Sequence, residues 1–568
     1  MSHTDDDRLP VLIAGARTAF LESAGLYSPL MSYELGAQAI GGLLRKIDFD
    51  PAGLGLVVMG TVLHEINTTN VARECMLAAG IPSRVPAYTV AMAGISPNVG
   101  VVNLCDQVML GRVDAGIAGG TDNFSDVPIR LGRGIRRAAM RLRQARTGKE
   151  RLSALGMLRL RDLALDMPSS SDFTTGLTMG SACETMARKF GASREDSDSF
   201  AAMSHARAVA AIDAGRYKEQ IVPVTIDGQA HDLSDNTARR DATVEKLSRL
   251  KPVFDRERGV ITPGNASRFS DGAGAVLIGS RAWARRRGLT ELAVIRDYQL
   301  TGVGSLQEEM LLGPAMSIPR LLGRNGLGFD DVGVWEIHEA FATQVLINRQ
   351  CMASAAFVRE RLGAGLPSGE IPLERLNAWG GSLSLGNPFA ATGVRLLLTA
   401  AQRLQASGER YAVVSTCAGG GLGAALLLEH PAHADHRLDR IPREYGIGIM
   451  AENGFTVQQI LIARAPGRLA RLQNGFDRAV PAGPGAGMQD LIAELTDPFT
   501  GRWSVAVTLP CEDAVVRGDN DEFIAECVDG LEEHFLFGPG THAASSRFAT
   551  VVAFRAQAMQ EDPNVCGC

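Results

Sequence analysis

Three separated segments carry side chains of the types that perform chemistry in enzymes. His338 closes an apolar run, and a histidine at the carboxyl end of a strand lies where α/β sheets bind ligands. It can serve as an acid, a base or an oxyanion donor, or it can be structural. Cys417 follows an apolar run and precedes small residues, which favours either a reactive thiol near backbone amides or an ordinary buried cysteine. Asn387 precedes a proline in a glycine-rich turn, which either admits a ligand or is only a tight loop.

Two regions of alternating strands and helices must position these residues. The first region predicts strands at 10–14, 56–59, 87–90 and 115–119 and helices at 35–46, 70–79 and 99–110. The second predicts strands at 275–279, 334–338 and 411–415, a helix starting at Glu339 and a long helix at 392–404. Each region ends in a strand followed by glycines. The pattern therefore predicts a layered α/β fold that is duplicated.

The residues between the two regions, 124–265, read as a helical insertion, with its clearest helices at 181–190 and 196–214. Its first part, 130–161, interleaves basic and apolar residues at helical spacing. Such a segment can lie on an anionic membrane surface or receive phosphate groups. It can equally be a solvated helix pair packed on its own protein or on a partner subunit.

The composition changes again after residue 430. Residues 431–568 predict a linker and an extra α/β domain of unknown role, with strands at 447–451, 504–509 and 548–554 and helices at 457–472 and 521–534. This domain carries no catalytic motif. Cys566 and Cys568 form either a mobile dithiol or metal-binding tail, or only a frayed terminus.

Composition excludes several classes of protein. Of 568 residues, 45% are hydrophobic, 21% charged and 5% aromatic, which is typical of a globular chain. No uncharged apolar stretch reaches the roughly 18 residues of a membrane span. The net charge of −6 argues against nucleic-acid binding. Residues 1–8 lack the features of a signal or transit peptide, so we expect a cytoplasmic protein, either free or peripheral to a membrane.

Several motifs, taken in order, resemble thiolases over about residues 9–430. The form of three segments is most similar to the β-subunit of the trifunctional fatty-acid oxidation complex. Those segments lie at 125–130, 338–341 and 379–385. The resemblance implies a duplicated five-layered α/β/α/β/α core and oligomers of two or four chains. It implies a division into an N-terminal half (1–123), a helical loop domain that covers coenzyme A (124–265) and a C-terminal half (266–430).

Carried over position by position, the resemblance also implies roles for individual residues. Ser267 would lie beside the pantetheine arm of coenzyme A. His338 and Asn387 would line the hole for the thioester oxygen of the enolate, and Cys417 would be the acid/base thiol. A second oxyanion hole would be formed by two backbone amides. Those are the amides of Gly94 and Gly419.

Two departures from the thiolase pattern affect the chemistry directly. Gly94 stands where the family has its nucleophilic cysteine, and glycine has no side chain to acylate. Asn387 stands where the family has the histidine of a Gly-His-Pro loop, and an amide cannot accept a thiol proton at neutral pH. The nucleophile and its activator are therefore missing together.

Several substitutes for the missing nucleophile can be considered. Ser96, with His338 as its base, Cys417, or the tail cysteines could take the acyl group. A non-covalent route is also open, in which the oxyanion donors and Cys417 stabilise an enolate during decarboxylation, proton exchange or direct acyl transfer.

The sequence therefore predicts a thiolase-like acyl-CoA acyltransferase with an atypical site, in fatty-acid or specialised acyl metabolism. It would make or cleave a carbon–carbon bond next to a thioester. The alternative is a catalytically inactive thiolase-like subunit that binds acyl-CoA or a partner protein. We expect coenzyme A thioesters as substrates, with no permanently bound cofactor and no metal. The expected partners are a second copy in a homodimer or higher oligomer, a hydratase/dehydrogenase-type subunit, and a membrane surface through residues 130–161.

Overall fold

A computed structural model describes residues 7–159, 162, 164–166, 168–169 and 171–434, together with several strands beyond residue 444. The chain divides into two compact units, Met1–His436 and Arg437–Cys568, and each is described by itself.

The described strands of the first unit range from two to eleven residues. They are β1 (Pro10–Arg17), β2 (Leu21–Glu22), β3 (Leu56–Gly60), β4 (Ala87–Val90), β5 (Ala115–Asp122), β6 (Arg130–Leu131), β7 (Leu165–Asp166), β8 (Val224–Ile226), β9 (Gln229–His231), β10 (Ser270–Ser280), β11 (Ala293–Gly302), β12 (Val332–Ile337), β13 (Tyr411–Ala418) and β14 (Leu422–Glu429).

The described helices of the same unit range from single turns to five turns. They are α1 (Ser32–Lys46), α2 (Val71–Ala78), α3 (Ser96–Met109), α4 (Arg133–Gln144), α5 (Gly148–Leu155), α6 (Met179–Phe190), α7 (Arg194–Asp213), α8 (Val244–Ser248), α9 (Arg281–Arg286), α10 (Leu306–Glu309), α11 (Gly313–Arg324), α12 (Ala342–Ala353), α13 (Ala355–Leu362), α14 (Ser382–Leu385) and α15 (Phe389–Ser407).

The central sheet repeats one strand order twice. In the N-terminal half the order is β4-β3-β5-β10-β1, with the first three strands parallel and β10 antiparallel to both of its neighbours. In the C-terminal half β12 and β13 are parallel and β14 is antiparallel to β13 and β11, while Leu376 forms a parallel bridge to Trp335 in the place of β4. Two residue pairs between β1 and β11 join the halves. The duplicated fold predicted from the sequence is confirmed.

The helices form layers on and between these strands. α1 and α2 pack on the outer face of the N-terminal half, and α11 and α12 pack on the outer face of the C-terminal half. Between the halves lie α3 and α15, whose Leu104 and Leu397 share one buried cluster with strand residues of both halves. Burial of apolar surface on both faces of each sheet stabilises this arrangement. The expected five layers are therefore present.

The glycines of β5 let α15 approach closely. A Cβ at Gly120 would lie 1.8 Å from the carbonyl oxygen of Ala390, so no other residue fits without moving the helix. Pro388 precedes α15, and Gly408 ends it in the left-handed region at φ +72°. The sequence thus fixes both ends of the helix and its distance from the sheet.

The insertion between the halves contains the two helices expected from its periodicity, α6 and α7. Both pack on the C-terminal half through contacts with α12. The basic segment forms α4 and α5, in which only Ala138 and Ala154 are buried among the described residues. Arg161, at the end of that segment, lies outside the described residues. Within the described part of the chain, no helix combines the length and apolar character needed to cross a bilayer.

The second unit is described through its strands alone. β15 (Tyr445–Ile447) pairs with β16 (Ile460–Ile462), β17 (Gln489–Asp497) pairs with β18 (Gly501–Leu509), which also pairs with β21 (Leu536–Phe537), and β19 (Val515–Arg517) pairs with β20 (Phe523–Ala525).

These strands test the expectations for the tail. The strand expected at 504–509 lies inside β18. The helices expected at 457–472 and 521–534 are wrong at β16 and β20, where short runs rich in apolar residues form paired strands instead. The strand expected at 548–554 and the cysteines 566 and 568 lie outside the described residues.

A buried ion pair connects the insertion (124–265) to β1. Arg17 of β1 donates to both carboxylate oxygens of Asp235 at 2.7 and 2.8 Å, and both side chains are inaccessible to solvent. Asp235 also accepts a hydrogen bond from the backbone of Phe20. The pair therefore links the insertion to the end of β1, a central strand of the sheet, without contact with water.

We expect Asp235→Asn to lower the unfolding free energy of the full chain by about 3–5 kcal/mol, because it leaves the Arg17 charge buried without a counter-charge. Urea unfolding measures this change. The control is Asp213→Asn, which breaks an exposed pair with Arg240 and should change stability little. Equal effects of the two variants would contradict a stabilising role for the buried pair.

Candidate active site

The loop that carries Gly94 is held in an unusual backbone conformation. Ala93 adopts φ +47°, which non-glycine residues rarely do, so the surrounding structure must impose it. The hydroxyl of Ser96 supplies that restraint: it accepts from the backbone N–H of Met92 at 2.7 Å and donates to the carbonyl of Ala93 at 2.6 Å. Because this hydroxyl is fully buried and occupied, Ser96 is poorly suited to replace the missing nucleophile.

Gly94 lies against the end of β13. A Cβ placed on Gly94 would be 3.8 Å from Cβ of Ala418 and 3.9 Å from the carbonyl oxygen of Cys417. These are ordinary contact distances, so a Cβ fits here without displacement. The backbone at residue 94 therefore leaves room for at least the first atom of a side chain.

Cys417 lies within β13, opposite Gly423 of β14, and not after the strand as the sequence suggested. The strand continues to Ala418 because these small residues pair with β14 up to the turn. Burial raises the pKa of the Cys417 thiol to about 12, so the thiol is protonated at neutral pH. It is therefore equipped to donate a proton more than to attack as a thiolate.

His338 directly follows β12, and its backbone N–H donates to the carbonyl of Ser415 in β13 at 2.8 Å. The ring is almost completely buried, and its Nδ1 lies 2.8 Å from the hydroxyl of Ser382. Burial, together with the positive charge of Arg395, lowers the pKa of His338 to about 3. The imidazole is therefore neutral at neutral pH, and a neutral imidazole still donates one hydrogen bond from its protonated nitrogen.

The helix expected to start at Glu339 begins at Ala342 instead. Residues 339–341 are not helical: Phe341 is extended and forms a bridge with Ala266, and the Glu339 carboxylate is buried. There it accepts hydrogen bonds from three groups. The donors are Ser204, Asn377 and the backbone of Leu383.

Asn387 is held at both ends of its side-chain amide. Its Oδ1 accepts from the hydroxyl of Thr392 at 2.8 Å, and its Nδ2 donates to Oγ of Ser267 at 3.2 Å. Ser267 in turn donates its backbone N–H to the carbonyl of Ala340, two residues after His338. These contacts connect the loops of Ser267, His338 and Asn387.

Gly419 follows β13 and opens the turn to β14, with Gly420 and Gly421 in the left-handed region at φ +78° and +71°. A Cβ on Gly419 would meet Met179 of the insertion at 3.8 Å. Gly419 is next in the chain to Ala418, against which Gly94 packs. The structure thus brings Gly94, Cys417 and Gly419 together at one end of β13, and Ser267, His338 and Asn387 into a connected set beside the same strand.

Residues 10–282 match the thiolase N-terminal domain, and residues 289–430 match the thiolase C-terminal domain. The chain belongs to the thiolase family. This thiolase-family protein is 40% identical over 420 residues to a probable 3-ketoacyl-CoA thiolase of Caenorhabditis elegans, covering 74% of this chain and 93% of that protein. It is 38% identical over 419 residues to the mitochondrial trifunctional enzyme subunit beta of Bos taurus, covering 74% and 88%.

Solved structures agree with these sequence relatives. The crystal structure of human mitochondrial 3-ketoacyl-CoA thiolase in complex with CoA superposes with a TM-score of 0.63 and 29% identity, over 76% of this chain and all of that chain. The family expected from the ordered motifs is therefore confirmed.

Sequence reasoning missed several buried polar residues of this thiolase-family site. Arg395 of α15 is fully buried and donates to Ser382, and the Glu339 carboxylate gathers hydrogen bonds from two helices and a loop. One signal was available for Arg395: it is an arginine within an otherwise apolar helical run. Nothing in the sequence indicated that Ser382 would contact His338, because the two lie on separate segments.

We expect Gly94→Ala to be tolerated in this thiolase-family chain, with an unfolding free energy unchanged or up to about 1 kcal/mol higher, because its Cβ meets only ordinary contacts. Gly120→Ala is the contrasting variant and should lose about 1–3 kcal/mol or more, since its Cβ overlaps Ala390. Urea unfolding of the two proteins measures the difference. Equal losses would mean that the space at residue 94 is closed.

The low pKa of His338 makes its contribution to stability depend on pH. Below the ordinary histidine pKa the unfolded chain binds a proton that the folded chain does not, so this contribution falls as the pH drops from about 6.5 towards about 3. When the pH is lowered from about 7 to about 5, the unfolding free energy should fall less in His338→Gln than in the unaltered chain. Urea midpoints at both values test this, with exposed His64→Gln as the control; an unchanged pH dependence in His338→Gln would contradict it.

Proposed function

We propose that this chain is a thiolase-like acyl-CoA acyltransferase with an atypical active site, which makes or cleaves a carbon–carbon bond next to a thioester carbonyl. Its substrates would be coenzyme A thioesters of the 3-ketoacyl and acetyl type, used without a permanently bound cofactor. The chemistry of the relatives supports this assignment, since two of them are named as 3-ketoacyl-CoA thiolases.

The observation that carries the proposal is the placement of two buried groups at one strand: Cys417 lies within β13, and the backbone of His338 donates to Ser415 of the same strand. The His338 ring is neutral and can donate a hydrogen bond, and the Cys417 thiol holds its proton. A carbon–carbon cleavage next to a thioester needs both: a donor for the enolate oxygen and an acid for the enolate carbon.

In the cleaving direction, the thiol sulfur of a second bound coenzyme A would bond to the ketone carbon of the substrate. As that carbonyl re-forms, the carbon–carbon bond breaks and its electron pair moves into the thioester enolate. His338 and Asn387 would hold the enolate oxygen. Cys417 would give its proton to the enolate carbon and take up the proton lost by the attacking thiol, which leaves the acyl group as a thioester of the second coenzyme A. Backbone amides of Gly94 and Gly419 would hold the oxygen of the attacked carbonyl.

Ser267 would lie beside the pantetheine arm of the substrate. Its hydroxyl accepts from Asn387, and its backbone N–H donates to Ala340 near His338. A substrate contact at Ser267 would therefore be coupled to Asn387 through a direct hydrogen bond and to the His338 loop through Ala340.

A second function has its own support. Gly94 offers no side chain to acylate, and the Asn387 amide is engaged by Thr392 and Ser267, so neither residue can start covalent acyl transfer. A catalytically inactive thiolase-like subunit that binds acyl-CoA or a partner protein would retain the fold without these groups.

The surface supports proposals about partners. The segment 130–161 exposes apolar side chains such as Met140 and Leu152 beside its arginines, which suits a contact with an anionic membrane surface or with another chain. A homodimer or higher oligomer and a hydratase/dehydrogenase-type subunit are the protein partners we propose, the latter because one relative is named as a trifunctional enzyme subunit. A cytoplasmic location, free or peripheral to a membrane, stays a prediction.

CoA-dependent thiolysis of short and long 3-ketoacyl-CoA by the purified full chain tests the two functions. We expect turnover by the unaltered chain and a loss of about 10²-fold or more in Cys417→Ala, the usual cost of removing a general acid. The comparison protein is the double variant Gly94→Cys, Asn387→His.

Each outcome of this assay decides between the functions. Turnover that disappears in Cys417→Ala supports the acyltransferase. No turnover by the unaltered chain, with activity gained by the double variant, would overturn it in favour of the inactive subunit. Tight acyl-CoA binding without turnover, and co-purification with a hydratase/dehydrogenase-like chain, would point the same way.

A further inference from the structure

A line of buried side chains leads away from the imidazole of His338. Its Nδ1 lies 2.8 Å from Oγ of Ser382, and Nη2 of Arg395 donates to the same Oγ at 2.9 Å. Ser382 and Arg395 are completely buried. Because Ser382 belongs to α14 and Arg395 to α15, two helices fix the Nδ1 side of the ring.

The direction of these hydrogen bonds follows from the chemistry of the groups. A guanidinium has donors and no acceptor, so Ser382 must accept from Arg395. Among the described residues, the only remaining partner of the Ser382 hydroxyl is Nδ1 of His338. If Nδ1 carried a proton, the Ser382 hydroxyl hydrogen would be buried without an acceptor, which is unfavourable.

We propose that Ser382 and Arg395 are positioning residues that hold His338 as the neutral tautomer with its proton on Nε2. Ser382 donates to Nδ1, so Nδ1 is an acceptor and Nε2 is the ring's donor. The inference rests on the proposed function in one respect: only under that function does the Nε2 proton bind the thioester oxygen.

The charges around the ring agree with this assignment. Burial opposes a second proton on the ring, and the charge of Arg395, which faces His338 through Ser382, does the same. The nearby carboxylates bond to groups other than the ring: Oε1 of Glu336 accepts from Arg403 at 2.6 Å, while its Oε2 has no partner among the described residues, and Glu339 accepts from Ser204 and Asn377. His338 is therefore a donor and not a general base, and a base for this site has to be sought among other groups.

The tautomer can be measured without any turnover. The experiment is nitrogen-15 NMR of the histidine rings in the full chain, with the His338 signal assigned by its loss in His338→Gln. Four proteins are compared: the unaltered chain, Ser382→Ala, Ser382→Thr, and Ser384→Ala as the matched control. Ser384 is equally buried on the same helix but bonds to Ser204 and Gly381 instead of His338.

We expect a protonated Nε2 and an unprotonated Nδ1 in the unaltered chain and in Ser384→Ala. Ser382→Ala should shift the population towards the Nδ1-protonated form, and Ser382→Thr should restore the original form because it keeps the hydroxyl. A protonated Nδ1 in the unaltered chain would overturn the proposal, as would an unchanged tautomer in folded Ser382→Ala. If Ser382→Ala does not fold, the unaltered chain and Ser382→Thr still decide.

The same measurement separates this inference from the proposed function. If Nε2 is protonated but the chain shows no thiolysis, the role of Ser382 and Arg395 is supported. In that case only the proposed acyltransferase function is contradicted. Where turnover is observed, Ser382→Ala should lower kcat about 10-fold or more with little change in KM. The variant moves the His338 proton away from Nε2, and that proton stabilises the enolate more than it stabilises the bound substrate.

Discussion

The buried carboxylate of Asp122 connects the two halves of the core at the place where the site is built. It stands at the end of β5 and accepts from the backbone of Leu63 in the N-terminal half and from the backbone of Ala390 in α15, each at 2.9 Å. Burial raises its pKa to about 6, against the opposing effect of these hydrogen bonds. Since Asn387 and Pro388 directly precede α15, the carboxylate that anchors the helix also sets the position of the Asn387 loop.

Some elements of the core could be predicted because they follow a local pattern, whereas β11, β14 and α11 were not predicted. The strand at Ala87–Val90 has the expected bounds, and α15 begins beside Pro388 and ends before Gly408, both of which act within one turn of the chain. The second unit was harder. Short apolar runs such as Ile460–Ile462 fit a helix or a strand equally well, and periodicity alone cannot separate them.

The site was predictable only in part, for a physical reason. Residue type and position near strand ends and turns were enough to predict His338, Asn387 and Cys417 as candidate site residues. Their supporting partners do not: Ser382 meets His338 from 44 residues away, and Thr392 and Ser267 reach Asn387 from opposite directions along the chain. Such contacts depend on how helices pack. The start of α12 at Ala342 is a similar case, because the burial of Glu339 delays the helix.

The antiparallel pairing of β5 with β10 has a consequence for the whole insertion. Asp122 lies opposite Gly272, and the backbone of Phe124 donates to Asp271, so the insertion leaves and re-enters the core at one point. In topological terms it is a very long hairpin loop between neighbouring strands. Closing a loop costs little more entropy as it lengthens. Residues 124–265 can therefore change in length without changing the pairing of β5 with β10, and a longer insertion would add surface without altering the sheet.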